Sequence, residues 1–411
     1  MFSKEIQELL QKSLQPLPAI MAGQSLRHDM DDLVAMAFTG KRLAIVDDLR
    51  TSGVLGDDVF RALRGRFDCT HITLHNNPHA DRETVDYVRG HSTSADALVA
   101  VGSGTISDIC KYTSHLDHKP YVVFPTAASM NGYLSANASI KVEGYKQTLP
   151  AHMPLAVFCD LSIIAAAPPR LSKSGLGDSL ARPTAQADWL LSHLLLGTRY
   201  NATPFDLLKP LEDHLFENAR GLAMGDSQSI ELLMQTLLLS GLGMSIAGGS
   251  YPASQGEHMI AHAYGMLPAP AEEAIPTLHG EDIGVTALAM ARRQEMLLRD
   301  TPLMPSSPFD ANAIAALWDE HTAAEAKKSY DTKQQRIAQA HLNSDTLAMQ
   351  WQHVASRIEP ITISSERIEA ILNAAQAPTT PEALGWNTNR YFNASLHARF
   401  LRDRFTFLDI T

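Results

Sequence analysis

From residue 40 to about 165 the chain alternates short β-rich apolar runs with segments whose apolar positions recur every three or four residues. This alternation marks βαβ units and hence a parallel sheet. Five runs read as strands: RLAIVDD (42–48), CTHITLH (69–75), DALVAVG (96–102), KPYVVFP (119–125) and PLAVFCD (154–160). Between them GDDVFRALRGRF, DRETVDYVRGH and GTISDICKYTSH carry helical spacing and read as crossover helices. After APPRLSKSG (167–175) the strand signal fades, and helix follows helix with prolines at the breaks. The expected fold is an α/β N-terminal domain with a parallel sheet (1–167), followed by an all-α C-terminal domain (168–411). AIPTLHG (274–280) and TPLMPSSPFD (301–310) read as connecting loops, and the terminal LRDRFTFLDI is too apolar for a free tail.

Length agrees with two domains, since 411 residues exceed what one core ordinarily serves. With 45% hydrophobic and 19% charged residues the composition is that of a globular protein. A net charge of −11, with no Lys/Arg run, argues against nucleic-acid and anionic-membrane partners. The most apolar stretch, ELLMQTLLLSGLGMSIAGGS, is interrupted by Gln235, Thr236, Ser240 and glycines and reads as a buried helix. The N-terminal residues lack the unbroken apolar core of a signal peptide. Cys69, Cys110 and Cys159 show no CxxC spacing, so neither a disulfide framework nor a thiolate metal site is expected. A cytoplasmic location is expected.

Candidate chemistry begins where the strand DALVAVG runs into Gly102-Ser103-Gly104 and then a helix. That arrangement lets backbone N–H groups and a helix N-terminus hold a pyrophosphate, although a tight βα turn has the same spacing. Asp47, at the end of the first clear strand, is placed to accept from a ribose hydroxyl, or is simply a solvated strand-end acid. The loop PTAASMNGYLS (125–135) offers small hydroxyl and amide groups to a polar ligand. Asp178, after a glycine pair, reads as the head of a helix, where an aspartate caps or meets the dipole. His258 and His262 stand four apart and share a helix face. His279 follows in TLHGEDIGV, and one acid with two histidines and an open position would be the donor set of a catalytic zinc-type site, but 17 histidines also allow coincidence.

In this order GSGTISD, TAASMNGYLS, GYKQTLP, GLGDSLARPTAQADW, SQGEHMIAHAY and LHGEDIGV resemble the glycerol-1-phosphate dehydrogenases. Their superfamily includes glycerol dehydrogenase, iron-containing alcohol dehydrogenases and dehydroquinate synthase. RDRFTFLDI is also similar to bacterial members, and the resemblance spans the chain except residues 305 to 360. It implies a dehydroquinate synthase-like fold, whose N-terminal domain binds the nucleotide and whose helical domain binds metal and substrate, with reaction in the interdomain cleft.

By this resemblance Asp178, His258 and His279 are metal ligands, and His262 contacts substrate. Gly102, Ser103, Gly104, Thr105 and Ile106, with Asp108, match the pyrophosphate loop. Asp47 matches the ribose acid, and Thr126, Ala127, Ala128, Ser129 and Ser135 the nicotinamide side. The implied cofactors are NAD, or NADP, and one divalent metal. Asp178 and His262 are the expected catalytic residues.

Three positions depart from the family pattern. Arg182 stands where iron-dependent relatives place a further histidine, which favours a three-ligand, zinc-like site over iron; nickel and cobalt also suit the donors. Asn131 replaces an aspartate at a substrate contact, and Tyr251 an arginine. The expected activity is a metal-dependent interconversion of dihydroxyacetone phosphate and sn-glycerol 1-phosphate, with Arg182 and Asn131 at the substrate. The alternatives are a polyol or glycerol dehydrogenase, a dehydroquinate-synthase-like lyase and a non-catalytic scaffold. A homo-oligomer, dimer or larger, is expected.

Overall fold

The computed structural model describes residues 2–14, 16–142, 145–268, 276–305 and 308–411. Gly144 of GYKQTLP, residues 274–275 of one expected loop and 306–307 of the other lie outside the described residues.

Eight strands occur among the described residues: β1 (Ala19–Gly23), β2 (Arg42–Asp48), β3 (Asp68–Leu74), β4 (Ala97–Gly102), β5 (Tyr121–Pro125), β6 (Asn137–Val142), β7 (Tyr145–Pro150) and β8 (Ala156–Asp160). Six form one parallel sheet in the order β1-β8-β5-β4-β2-β3, and β6 pairs with β7 as an antiparallel hairpin. The five strands read from the sequence are present to within two residues at each end. β1, β6 and β7 are additions. β1 is a short edge strand with much of its surface open; its run AIMAG is apolar but stands apart from the alternating stretch that begins at residue 40. β4, β5 and β8 are buried at every position, as central parallel strands covered on both faces should be.

From β2 the chain reaches β3 at one edge, then crosses to β4 on the other side of β2. Strand order therefore reverses between β2 and β4. The carboxyl ends there, Asp47-Asp48 and Gly102, flank the crevice where open α/β sheets bind ligands. On one face Ile45, Val99 and Phe124 pack with Leu33, Val34, Val59 and Leu63.

The chain forms two compact units. The first is Met1–Gly175 with Asp206–Ser250, and the second is Leu176–Phe205 with Tyr251–Thr411. The single boundary read at 167/168 is thus replaced by an interleaved division, because helices between 206 and 250 pack with the sheet-bearing unit. One of them, Ser227–Ala247, is long and apolar enough to cross a membrane, yet 72% of its most apolar window is buried. In the second unit a large apolar core joins Leu191, Tyr264, Val285, Trp318 and Trp351 to the terminal Phe405, Phe407 and Ile410. The C-terminal segment is thus core.

Candidate active site

Asp178 does not cap a helix. The helix Pro169–Leu196 starts well upstream, so Asp178 lies inside it, buried. The glycines beside it serve tertiary packing instead. A Cβ on Gly177 would lie 2.0 Å from the carbonyl oxygen of Gly280 and 3.3 Å from Cα of Gly284. Glycine at this crossing lets the backbone of Pro169–Leu196 approach that of His279–Arg299, and so sets Asp178 beside His279.

The Oδ1 of Asp178 is 3.7 Å from Nε2 of His258 and 4.0 Å from Nε2 of His279. One donor atom from each of the three residues lies within 4.8 Å of the others. That spacing suits one ion between them. His258 is buried and the His279 side chain is one-third exposed, which leaves the cluster an open side. The His258 and His262 rings, from one face of the helix Gly256–Gly265, have centroids 5.7 Å apart, and His262 lies 5.8 Å from His279. The sequence-predicted trio and His262 are therefore brought together.

Glu257 was not singled out from the sequence. Its Oε1 accepts from Nδ1–H of His258 at 2.9 Å and from the backbone N–H of Gln255 at 2.7 Å. With Nδ1 protonated, Nε2 carries the lone pair a metal needs. Behind it, buried Asp188 accepts from the N–H of Gly256 at 2.9 Å, from the N–H of Phe407 at 2.9 Å and from Gln294 at 3.4 Å. Burial first, then repulsion from Glu257, pushes the Asp188 carboxyl up to about 8, with those three hydrogen bonds opposing.

Arg182, one turn beyond Asp178, donates to Oε1 of Gln186 at 2.9 Å, and Gln186 in turn donates to the Tyr200 hydroxyl at 3.1 Å. Its guanidinium lies 5.9 Å from the Phe205 ring. Tyr251 stacks on Trp189 at 5.6 Å, and the Arg404 guanidinium lies over Tyr251 at 4.5 Å. A cation from the C-terminal segment, in RDRFTFLDI, thus lies against Tyr251.

In the first unit the glycine-rich turn opens the helix Gly104–Leu116, and its N-cap Ser103 makes no side-chain cap. A Cβ on Gly102 would meet Ile106 at 2.7 Å, and one on Gly104 would meet Met130 at 2.9 Å. The backbone N–H groups of Ser103, Gly104 and Thr105 thus sit at a helix N-terminus that only glycine lets close up in this way. Ile106, Ala127 and Ala128 are buried frame, with the Ala127 carbonyl accepting from Tyr133 at 2.8 Å. Thr126 and Ser129 are also buried, and the N–H of Thr126 donates to Gly102 at 3.1 Å.

Ser135 is held by a buried lysine. Buried Lys111 donates to Ser135 Oγ at 3.0 Å and to the carbonyls of Gly132 and Asn137 at 2.5 and 3.0 Å. Burial lowers the Lys111 pKa, and Asp108 opposes this. Asp108 itself accepts from the N–H of Ser139 at 3.3 Å. Lys111 and Asp108 therefore clamp the 132–139 segment to the helix after the glycine turn. Asn131 lies in the same loop, its carbonyl packed against Gly241.

Asp47 is fully buried, and its Oδ2 accepts from Nε2–H of His71 at 2.7 Å. Among the described residues its buried Oδ1 has no hydrogen-bond partner. The carboxylate lies enclosed beneath the carboxyl end of β2, covered by Gly56.

The family model for iron-containing alcohol dehydrogenase matches residues 22–168. The chain is 32% identical over 275 residues to a glycerol-1-phosphate dehydrogenase [NAD(P)+] of Thermococcus kodakarensis, covering 66% of this chain and 76% of that protein. It is 36% identical over 244 residues to the one from Pyrococcus furiosus, covering 59% and 68%. Among solved structures, glycerol dehydrogenase from Schizosaccharomyces pombe is similar in fold, with a TM-score of 0.56 at 19% identity over 90% of this chain and 92% of that one. With this likeness over most of a relative's length, the chain belongs to the glycerol-1-phosphate dehydrogenase family.

Proposed function

We propose that this chain is an NAD(P)- and divalent-metal-dependent dehydrogenase that interconverts dihydroxyacetone phosphate and sn-glycerol 1-phosphate. The observation that carries the reading is the Asp178, His258 and His279 cluster, backed by Glu257, in a chain of this family. Two imidazoles and a carboxylate with an open side suit zinc, and also nickel, cobalt or iron. When bound, such an ion supplies the Lewis acidity that stabilises negative charge on the C2 oxygen during hydride transfer.

This chain's own residues do the rest. His262, beside the cluster, donates to or accepts from a substrate hydroxyl and holds its proton. Arg182, oriented by Gln186, offers a charged donor to the substrate phosphate, with Arg404 as a second cation near Tyr251. Asn131 orients a further polar end. Ser103, Gly104 and Thr105 present backbone N–H groups to the pyrophosphate, and Asp47, enclosed at the end of β2, sets the charge that the ribose meets. Ser135, held by Lys111, shapes the nicotinamide side.

Asn131 and Tyr251 favour a second reading, a polyol dehydrogenase acting on an unphosphorylated substrate. The test is a panel of both reduced cofactors with dihydroxyacetone phosphate and dihydroxyacetone on metal-replete protein. Turnover of the phosphorylated ketone in preference to the free one supports the first reading, and the reverse order the second. His258→Ala should lose metal and turnover together; full metal occupancy by elemental analysis in that variant would contradict the site.

A further inference from the structure

The Asp47–His71 pair serves no step described so far. β2 and β3 are paired with Ile45 opposite His71, so Asp47, two residues further along β2, shares a sheet face with the imidazole. Nε2–H of His71 donates to Asp47 at 2.7 Å, and the ring stacks on Phe60 at 4.9 Å. A Cβ on Gly56 would lie 1.9 Å from Oδ2 of Asp47, so the turn before the helix Asp57–Leu63 closes directly over the acid. The His71 side chain keeps 18% of its surface while Asp47 has none. The acid is thus always a partner of the histidine, and its charge reaches a ligand at the strand ends together with that of His71.

We infer that His71 is the specificity-determining residue for the 2′ position of the cofactor's adenosine ribose, its imidazolium cancelling the Asp47 charge so that a 2′-phosphate is tolerated. This rests on the cofactor lying at the carboxyl ends of β2 and β4. With His71 protonated the pair is neutral, and a phosphate meets no net charge. With His71 neutral the pair carries one negative charge in a buried setting and repels the phosphate dianion, while an unmodified, uncharged ribose hydroxyl meets no such repulsion.

The hydrogen bond to Asp47 raises the imidazole above its ordinary value; burial opposes this, and the charges of Asp47 and Asp57 add to the rise. The titratable groups acting on the pair are thus Asp47 on β2 and Asp57 at the head of the covering helix. From the helix Gly104–Leu116 the Cys110 thiol feels Asp47 and is pushed far above neutrality, mainly by burial, so it stays uncharged. A raised pKa keeps the imidazolium at low pH and loses it as pH rises through the folded-state value. Tolerance of the 2′-phosphate is therefore a low-pH property.

The experiment measures dissociation constants of NADH and NADPH by fluorescence titration of the full chain, from about pH 6 to about pH 9. The ratio of the NADPH constant to the NADH constant should rise with pH in the wild type, by on the order of tenfold. In His71→Gln the ratio should be high throughout, keeping only the slope of the phosphate's own ionisation, and in Asp47→Asn it should be low throughout. A His71→Gln ratio that follows the wild-type curve overturns the inference. If His71→Gln fails to fold, Asp47→Asn decides it, since a variant ratio still climbing as in the wild type overturns the inference equally. Wild-type protein that binds neither nucleotide overturns the cofactor reading and the inference with it, whereas binding of both with unchanged ratios removes the inference alone.

Discussion

Glu257 and His258 are adjacent in sequence, and the carboxylate of one accepts from Nδ1–H of the other at 2.9 Å. Neighbouring residues on a helix do not normally face each other, but Glu257 sits in the first turn and bends back to hold the N–H of Gln255 as well. The carboxylate so fixed determines which imidazole nitrogen points at Asp178. Glu257→Ala should weaken metal binding about 10- to 100-fold, as loss of such supporting carboxylates does. Chelator competition measures this, with unfolding of the metal-free protein as the check on fold. Glu257→Gln should recover part of the affinity because its amide oxygen still accepts. An unchanged metal affinity in both variants would remove the orienting role.

Gly177 is the point of closest approach between the two helices that carry Asp178 and His279. In Gly177→Ala the new methyl meets the Gly280 carbonyl, so the helices must separate. Overpacking of this kind costs about 1 to 3 kcal/mol, and the shift should also loosen the metal. Metal affinity that holds while stability falls would show that the crossing serves packing alone.

Arg182 distinguishes the two substrate readings. Arg182→Ala should raise KM for dihydroxyacetone phosphate far more than for dihydroxyacetone, by an amount on the order of 1.5 to 3 kcal/mol. Equal changes for both ketones assign Arg182 to its contact with Gln186 and favour the polyol reading.

Asp188 predicts a pH dependence. An unfolded aspartate releases its proton near about 3.9, whereas the folded one holds it until about 8. Between these values the native state carries the extra proton, so stability falls as pH rises. Against Asp188→Asn, which cannot ionise, the metal-free wild type should lose ground in urea denaturation between about pH 5 and about pH 8.5. A constant difference between the two proteins across that window would contradict the raised pKa.

Some of this was legible in residues and some was not. The parallel sheet could be read because β4, β5 and β8 are buried on both faces and are therefore almost wholly apolar; β1 is apolar too, but it is short and lies outside the alternating stretch. His258 and His262 share a face by helical spacing alone. Asp178 misled as a helix head because glycine and proline, which usually punctuate helices, here lie inside one. Gly177 accommodates a neighbouring backbone, and Pro183 lacks an N–H for the carbonyl four residues back. No spacing in the sequence shows that the Ser135 hydroxyl accepts from Lys111, because that contact depends on the reach of the lysine across the fold. Asp47 was read correctly as a strand-end acid, but its histidine partner comes from a different strand and no spacing predicts it.

The interleaved division of the chain sets an order of events during synthesis. The sheet-bearing unit begins at the first residue but stays incomplete until Ser250 has left the ribosome. Asp178 is made in the middle of that interval, in a segment whose partners begin only at Tyr251. The sheet-bearing unit therefore has all its residues in hand before His258 or His279 exists. Asp178 is the first of the three clustered side chains to emerge, and the helices Thr203–Glu217, Ala219–Ala223 and Ser227–Ala247 are made before the other two. Closing that cluster is thus a late act in the life of the nascent chain, and a ribosome stalled before His279 leaves it one side chain short.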